Sequence, residues 1–259
     1  MFERLFPRRA SVTAAPRIAD GLAIYAIGDI HGRLDLLTDL LAQVAADAGR
    51  HPADQRRQLI FLGDYIDRGT ESRGVVDALL DLSWPGFTRT FLMGNHEEAM
   101  LEFLDEHTDG AGWLTYGGLE TLISYGVAIR RLPTDAASAA EMRDALRAAV
   151  PPRHIDFMRR CALSHVEGDY VFVHAGVRPG RALEQQNRQD LLWIREEFLR
   201  APAALPGKVV VHGHTICDAP QDLGHRIDID TGAFVSGRLT CLVLRGIGRR
   251  FLATGTSAG

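Results

Sequence analysis

Six short strings in this chain combine potential metal-binding side chains with glycine, and they follow one another from the first third to the last. Carboxylate, imidazole and amide groups are ligands for hard and borderline divalent metals. Gathered at one point, they could hold two ions and activate water for hydrolysis. The strings are Gly28-Asp29-Ile30-His31-Gly32-Arg33, Gly63-Asp64-Tyr65-Ile66-Asp67-Arg68-Gly69, Gly94-Asn95-His96-Glu97, His174-Ala175-Gly176, His212-Gly213-His214-Thr215 and Asp230-Thr231-Gly232.

The candidate metal ligands come from five of these strings. Asp29 and His31 can reach one point if the chain turns after Gly28, which a glycine permits. Asp64 adds a carboxylate that can bridge two ions. This mixed nitrogen and oxygen set suits Mn²⁺, iron or Zn²⁺ better than Ca²⁺. The ligands that complete it are Asn95, His174 and one histidine of the pair His212 and His214.

The reaction that such a centre favours is phosphoryl hydrolysis. Two ions about 3.5 to 4 Å apart can share a water, lower its pKa and present hydroxide to phosphorus. Arg68, next to Gly69, can bond a phosphate with two parallel donors. His96 follows Asn95 directly and can protonate the leaving group, while Asp67 can orient that imidazole and favour its charged form.

Short apolar runs precede most of the strings and predict buried strands. We expect strands over residues 22–27, 58–62, 88–93, 170–173, 209–211, 226–229 and 239–244, and helices over residues 34–44 and 72–82. The first three motifs lie roughly thirty residues apart, the usual size of one β-α-β unit. They then lie at the carboxyl ends of strands, where open α/β sheets bind ligands.

The middle of the chain breaks this rhythm, and residues 106–160 are predicted to form a mostly helical insertion that walls the site. Glycines interleave with Trp113 and Tyr116 in a loop-rich stretch near the mouth of the site. Helices are expected over residues 97–106, from a capping box at Ser138, and over residues 153–160. We expect one domain over residues 21–251, with tails at 1–20 and 252–259.

Composition limits the classes of function. The 259 residues carry a net charge of −4, so no overall basic field favours a nucleic-acid partner. Three cysteines without a CxxC pair argue against a disulfide framework and predict a reducing compartment, the cytoplasm. No apolar stretch is long enough to span a bilayer, and residues 1–20 lack the sustained apolar core of a signal peptide.

The strings GDxHG, GDxxDRG, GNHE, HAG and GHT resemble those of the phosphoprotein phosphatase family, within the calcineurin-like metallophosphoesterases, over residues 23–244. The resemblance implies an α/β fold with a β-sandwich core flanked by helices. It implies two divalent ions, with Mn²⁺ expected and iron or Zn²⁺ open. The residues it assigns to the first ion are Asp29, His31 and Asp64, and those for the second are Asp64, Asn95, His174 and His214.

The same resemblance implies roles in the reaction. His96 is the expected general acid, Asp67 its partner and Arg68 a phosphate ligand. Arg195, in the string LLWIRE, matches the segment that bears the family's second phosphate arginine. The leading hypothesis is therefore a metal-dependent serine/threonine or dual-specificity phosphatase that acts on phosphoproteins or phosphopeptides.

Two other functions stay open. A symmetrical diadenosine tetraphosphate hydrolase has similar motifs, but such relatives generally lack the aspartate of the second motif, so Asp67 favours the phosphatase. A non-catalytic, phosphate-sensing regulator would keep the fold, but such proteins usually lose a ligand or the acid, and none is missing here. The register of the fifth string is also open: His212 and His214 could both bind metal, or His214 alone. Asp230 is expected to support the site or form a turn.

Overall fold

The computed structural model describes residues 15–52, 55–129 and 131–255. Residues 1–14 of the predicted N-terminal tail and 256–259 of the predicted C-terminal tail lie outside the described residues. Ten strands are described. They are β1 (Leu22–Ile27), β2 (Arg56–Phe61), β3 (Phe87–Phe91), β4 (Ser164–Glu167), β5 (Tyr170–Val173), β6 (Val209–His212), β7 (Gln221–Asp222), β8 (Arg226–Asp228), β9 (Thr240–Arg245) and β10 (Gly248–Ala253).

The described helices are mostly short. They are α1 (Leu34–Ala48), α2 (Ser72–Asp81), α3 (Asn95–Leu104), α4 (Ala111–Trp113), α5 (Leu119–Ser124), α6 (Ala136–Ala149), α7 (Pro152–Arg159), α8 (Arg188–Trp193), α9 (Glu196–Leu199) and α10 (Ala233–Ser236). A π-helical turn, Leu114–Gly118, joins α4 to α5, and a 3₁₀ turn covers Leu183–Gln185. Within the described ranges, no helix combines the length and apolar character needed to cross a membrane.

The strands form two mixed five-stranded sheets. The first has the order β10-β9-β1-β2-β3, in which β1, β2 and β3 run parallel and β9 and β10 are antiparallel to their neighbours. The second has the order β4-β5-β6-β8-β7, with a parallel centre of β5, β6 and β8. The sequence prediction of an α/β fold with a β-sandwich core is confirmed.

The core of the sandwich follows from strands that are buried on both faces. In β1, Ile24 and Ala26 pack with Phe172 and Val211 of the second sheet. The alternate residues of β1, including Tyr25, pack against the helices that cover the outer face of the first sheet. Because side chains alternate across a strand, the continuous apolar run in the sequence supplies both layers.

The insertion and the start of α3 differ from the sequence prediction. Helix α3 begins at Asn95, two residues before the predicted start, because the Glu97 carboxylate accepts the backbone N–H of Gly94 and so caps the helix at that glycine. The glycine-rich stretch near Trp113, predicted as loop, is α4 and the π-helical turn. Gly117, at φ 113°, provides the break that this turn needs.

Candidate metal centre and active site

The loops after β1, β2, β5 and β6 bring most of the predicted ligands together around Asp64. Nε2 of His31 lies 3.5 Å from one Asp64 oxygen, and Nε2 of His174 lies 3.4 Å from the other. Two buried groups share this carboxylate, and within each group the candidate ligand atoms lie within 4.8 Å of one another. The first group is His31, Asp64 and His96, and the second is Asp64, His174 and His214.

Asn95 joins the second group. Its Oδ1 lies 2.8 Å from Nε2 of His174 and 2.8 Å from Nδ1 of His214. Nδ1 of His174 donates to the carbonyl of Leu62 at 2.9 Å, so Nε2 keeps its lone pair toward Asn95. Buried lone pairs that face one another in this way can bind a cation.

The same tautomer holds in the first group. Nδ1 of His31 donates to the carbonyl of Ile66 at 3.0 Å, which leaves Nε2 as an acceptor that faces Asp64. That nitrogen accepts a hydrogen bond from the Arg68 guanidinium at 3.0 Å. The lone pair on Nε2 of His31 therefore faces both a carboxylate and a cationic side chain.

Burial sets the charge states of these ligands. It is the main cause that lowers the pKa of His31 to about 3 and that of His214 to about 2, so both imidazoles are neutral, the form that binds metal. Burial also raises the pKa of Asp64, but four surrounding imidazoles, His174 first, outweigh it and hold that pKa well below its usual range. Asp64 is accordingly an ionised carboxylate beside the neutral rings of His31 and His214.

Asp29 lies beside these groups but belongs to neither of them. Its Oδ2 accepts the backbone N–H of His214 at 2.9 Å. Its Oδ1 is buried and, like Nε2 of His214, has no hydrogen-bond partner among the described residues. Burial, followed by the nearby charges of Asp230 and Asp64, raises the pKa of Asp29. Orphaned buried atoms of this kind are what a metal ion would satisfy.

His212 points away from both groups. Its Nδ1 donates to the carbonyl of Gly213 at 3.1 Å, and its Nε2 accepts from the Arg226 guanidinium at 3.2 Å. Both ring nitrogens therefore have partners in the protein. The geometry favours the register in which His214, not His212, faces the centre.

The backbone of the motifs is unusually strained. Positive φ angles occur at His31 (47°), Asp64 (50°), Asp67 (73°), Arg68 (67°) and His214 (66°). Among the described non-glycine residues, one other, outside the motifs, has this conformation. Left-handed backbone at residues with a Cβ costs free energy and persists where neighbouring contacts enforce it, a pattern common at functional sites.

Close backbone approach explains two of the motif glycines. A Cβ built on Gly94 would overlap with Oδ1 of Asp64, and one built on Gly213 would overlap with Oδ1 of Asp29. These glycines let the loops of separate strands meet at the carboxylates.

His96 and Asp67 form a buried acid pair next to the centre. Nδ1 of His96 lies 2.6 Å from Oδ2 of Asp67, and Nε2 of His96 lies 3.9 Å from Asp64. Burial by itself lowers the pKa of His96, but Asp64 and Asp67 outweigh it and raise the pKa above its usual value. The two carboxylates therefore favour the protonated imidazole, and His96 lines the open cavity.

Both predicted phosphate arginines open into one cavity of about 570 Å³, which Asn95 and His96 also line. Arg68 lies over the ring of Phe234, with 4.7 Å from Cζ to the ring centroid. The guanidinium of Arg195 donates to the carbonyl of His214 at 3.0 Å, and this hydrogen bond holds it beside the second group. Trp113, Tyr116 and Trp193 form aromatic walls of the same cavity.

The profile of calcineurin-like phosphoesterases matches residues 22–224 of this chain. The chain belongs to that family. Serine/threonine-protein phosphatase 1 of Salmonella typhimurium is 29% identical over 221 residues, which is 84% of this chain and 89% of that protein. An asymmetrical bis(5'-nucleosyl)-tetraphosphatase of Bacillus mycoides is 24% identical over 233 residues, 83% of this chain and 88% of that protein.

Solved structures share the fold. A cold-active protein tyrosine phosphatase superposes with a TM-score of 0.62 at 19% identity, over 91% of this chain and 81% of that one. A serine/threonine phosphatase from Saccharomyces cerevisiae gives a TM-score of 0.53 at 15% identity, over 95% and 85% of the two chains. The dimetal centre that calcineurin-like phosphoesterases use fits the two groups around Asp64 in this chain.

Sequence reasoning missed the contacts of two residues at this phosphoesterase site. Glu97, in the first turn of α3, accepts the backbone N–H groups of Asp64, Tyr65 and Gly94 at 2.8 to 3.0 Å. Burial, then Asp64, raises the pKa of Glu97 to about 8, while the backbone donors act in the opposite direction. Phe234, whose ring contacts Arg68 and His31, lies two residues after the DTG string, and a phenylalanine at that position gives no local sign of these contacts.

Proposed function

We propose that this protein is a metal-dependent phosphomonoesterase that removes phosphate from serine or threonine residues of phosphoproteins. One observation carries the proposal. Asp64 stands between two groups of buried imidazoles, and His96, which is paired with the enclosed Asp67, lines the same cavity as Arg68 and Arg195. Ligands for two cations, an acid and two phosphate ligands are the parts that hydrolysis of a phosphate ester requires.

The residues around Asp64 would hold two divalent cations. We assign one to Asp29, His31 and Asp64, and the other to Asp64 together with Asn95, His174 and His214. Such a pair supplies Lewis-acid activation of a water and of the phosphoryl oxygens. We propose Mn²⁺, and the nitrogen and oxygen ligands also suit iron or Zn²⁺.

The chain's own side chains perform the remaining tasks. Arg68 and Arg195 bind and orient the phosphate oxygens with charge-assisted hydrogen bonds. His96 donates a proton from Nε2 to the leaving oxygen as the bond from phosphorus to that oxygen breaks. Asp67 holds Nδ1 of His96 and so keeps the ring aimed at the cavity.

Relatives of this chain include both protein phosphatases and dinucleotide hydrolases, so the substrate needs its own argument. The presence of Asp67 and its bond to His96 favour the phosphatase, since a serine or threonine alkoxide is a poor leaving group that needs a strong acid. A nucleoside diphosphate or triphosphate leaves with less help. We therefore rank hydrolysis of diadenosine tetraphosphate second.

A side-by-side assay tests the proposal. Purified protein loaded with Mn²⁺ is offered phosphoserine, phosphothreonine and phosphotyrosine peptides and diadenosine tetraphosphate at equal concentrations. The proposal expects the highest kcat/KM on a phosphoserine or phosphothreonine peptide. The same preparation of Asp64→Asn should be inactive, which excludes a contaminating phosphatase. A preference for the dinucleotide, or phosphate binding without turnover of any substrate, would reject the proposal.

A further inference from the structure

The Asp67 carboxylate is fully enclosed and receives hydrogen bonds from the helical insertion as well as from His96. The Thr121 hydroxyl donates to Oδ1 at 2.6 Å, and Nε1 of Trp113 donates to Oδ2 at 2.8 Å. Oδ2 also accepts Nδ1 of His96 at 2.6 Å. Asp67 has no exposed surface, so these protein donors take the place of water.

Thr121 also accepts a hydrogen bond from the backbone of Asp67. The backbone N–H of Asp67 points between two hydroxyls, 2.9 Å from Oγ1 of Thr121 and 3.0 Å from Oγ of Ser72. The two hydroxyl oxygens are themselves 2.9 Å apart. Because the single Thr121 hydrogen goes to the carboxylate, Ser72 donates to Thr121. This closed set of bonds encloses a residue held at φ 73°, a conformation that needs such support.

Both insertion residues belong to one short segment beside the site. Trp113 ends α4 and Thr121 lies in α5, with the π-helical turn between them. The carbonyl of Gly117 in that turn accepts the backbone N–H of Arg68 at 3.1 Å. The segment therefore touches the two consecutive residues that follow β2 and that carry the acid partner and the phosphate ligand.

We propose that Thr121 and Trp113 are positioning residues for the acid step, an inference that rests on the proposed function. They fix both oxygens of Asp67, so that Oδ2 stays in line with Nδ1 of His96 and the opposite ring nitrogen points into the cavity. Without them the carboxylate can rotate away, and the imidazole loses its orientation. The insertion then completes the acid and is more than a wall of the cavity.

A positioning role can be detected by comparing the rates on substrates with different leaving groups. When the bond from phosphorus to the leaving oxygen breaks, its electron pair stays on that oxygen, and a proton from Nε2 of His96 neutralises it. An alkoxide requires that proton, whereas p-nitrophenolate is stable without it. A defect in positioning His96 should therefore slow alkyl phosphates far more than p-nitrophenyl phosphate.

Matched substitutions test the inference. Thr121→Val removes the hydroxyl and keeps the shape, while Thr121→Ser keeps the hydroxyl. We expect Thr121→Val to lower kcat on a phosphoserine peptide at least about tenfold, a part of the 10²- to 10⁴-fold that an acid contributes. Its kcat on p-nitrophenyl phosphate should stay within about threefold of wild type, since that leaving group needs little protonation. Thr121→Ser should resemble wild type on both substrates.

The tryptophan and the controls follow the same logic. Trp113→Phe keeps an aromatic ring and loses the N–H donor, so it should show the same selective loss. Thr115→Val removes a hydroxyl that donates to the carbonyl of Ala111 and not to Asp67. Trp84→Phe alters a half-buried tryptophan three residues beyond the end of α2. Both controls should leave the ratio of the two rates unchanged.

Two further readouts separate positioning from loss of fold and from failure of the proposed function. The inhibition constant for inorganic phosphate should not change in Thr121→Val, because the centre and Arg68 remain. In proton NMR spectra, the Nδ1–H of His96, assigned by its loss in His96→Asn, should be protected in wild type and Thr121→Ser and exchange rapidly in Thr121→Val. If no substrate is hydrolysed, the proposed function fails and this resonance still tests the positioning. Equal losses on both substrates, or an unchanged resonance in Thr121→Val, would overturn the inference.

Discussion

Oε2 of Glu97 lies 2.9 Å from the backbone nitrogen of Asp64, so a side chain in the first turn of α3 holds the loop that carries the central carboxylate. The other oxygen of Glu97 accepts from Tyr65 at 2.8 Å and from Ile66 at 3.2 Å. Glu97 has no exposed surface. The strained φ at Asp64 is therefore fixed by a neighbouring motif and not by its own loop.

Substitution of Glu97 should destabilise the protein even without metal. In Glu97→Gln, one carboxylate oxygen becomes an amide NH2 group that faces buried backbone N–H donors, which then lack an acceptor. We expect the free energy of unfolding to fall by about 2 kcal/mol or more. Urea denaturation of chelator-treated protein measures this, and Glu141→Gln, at an exposed position of α6, is the matched control. An equal, small effect of both changes would contradict the anchoring role of Glu97.

Metal binding should be visible in stability as well as in activity. A ligand that binds only the folded state at 100 times its Kd adds about 2.7 kcal/mol, so Mn²⁺ should raise the Tm of chelated protein and restore its activity. The comparison is made by thermal unfolding with and without Mn²⁺. In Asp64→Ala, which lacks the shared carboxylate, the shift should disappear. Full activity in the presence of excess chelator would refute the metal centre.

Loss of the acid should depend on the leaving group. His96→Asn keeps a polar side chain but removes the proton that the pair with Asp67 supplies. Turnover of a phosphoserine peptide should drop by about 10² or more, and that of p-nitrophenyl phosphate much less. The ratio of the two kcat values is the measurement. If both substrates lose the same factor, His96 acts in binding and not as an acid.

Removal of Arg68 should weaken the binding of phosphate. Its guanidinium lies over the ring of Phe234, and Arg68 lines the cavity, where it can form two parallel hydrogen bonds to an oxyanion. Arg68→Ala should raise the inhibition constants of phosphate and vanadate about tenfold or more, equal to about 1.4 kcal/mol, and Arg68→Lys should lie between. Constants equal to those of wild type would remove Arg68 from the phosphate site.

Much of the fold was readable from the sequence because the strands of the first sheet are buried on both faces. The continuous run of β1 ends at the glycine of the first motif, and each β-α-β unit returns the next motif to the same edge of the sheet. The apolar pattern of a strand and the length of a β-α-β unit can be read without knowledge of the second sheet. They also fix which edge the first three motifs share.

The contacts that complete the site were not readable, because they join residues distant in sequence. Thr121 and Asp67 are 54 positions apart, and a buried threonine in a short helix carries no local sign of its partner. Interleaved glycines favour a loop, whereas the structure has the π-helical turn that places Trp113. The strand β10 reaches Ala253 because its pairing with β9, and not its hydrophobicity, sets its end.

A histidine remote from the metal centre should make stability depend on pH. His154 in α7 is buried between Tyr125, whose hydroxyl lies 2.8 Å from Nδ1, and Asp77, whose oxygen lies 3.0 Å from Nε2. Burial lowers the pKa of His154 despite the attraction of Asp77. The folded state therefore takes up this proton less readily than the unfolded chain, whose histidines have a pKa of about 6.5. The stability that the neutral ring contributes is present above that pH and is lost as the pH falls below it.

His154→Gln tests this effect, because the amide can still donate to Asp77 but does not titrate. The free energy of unfolding of chelated protein, measured in urea from pH 7.5 to pH 5.5, should fall more steeply for wild type than for His154→Gln, so the gap between the two should narrow toward acid. His107→Gln, at an exposed histidine, should run parallel to wild type. Parallel curves for His154→Gln as well would mean that burial does not hold the imidazole of His154 neutral in the folded protein.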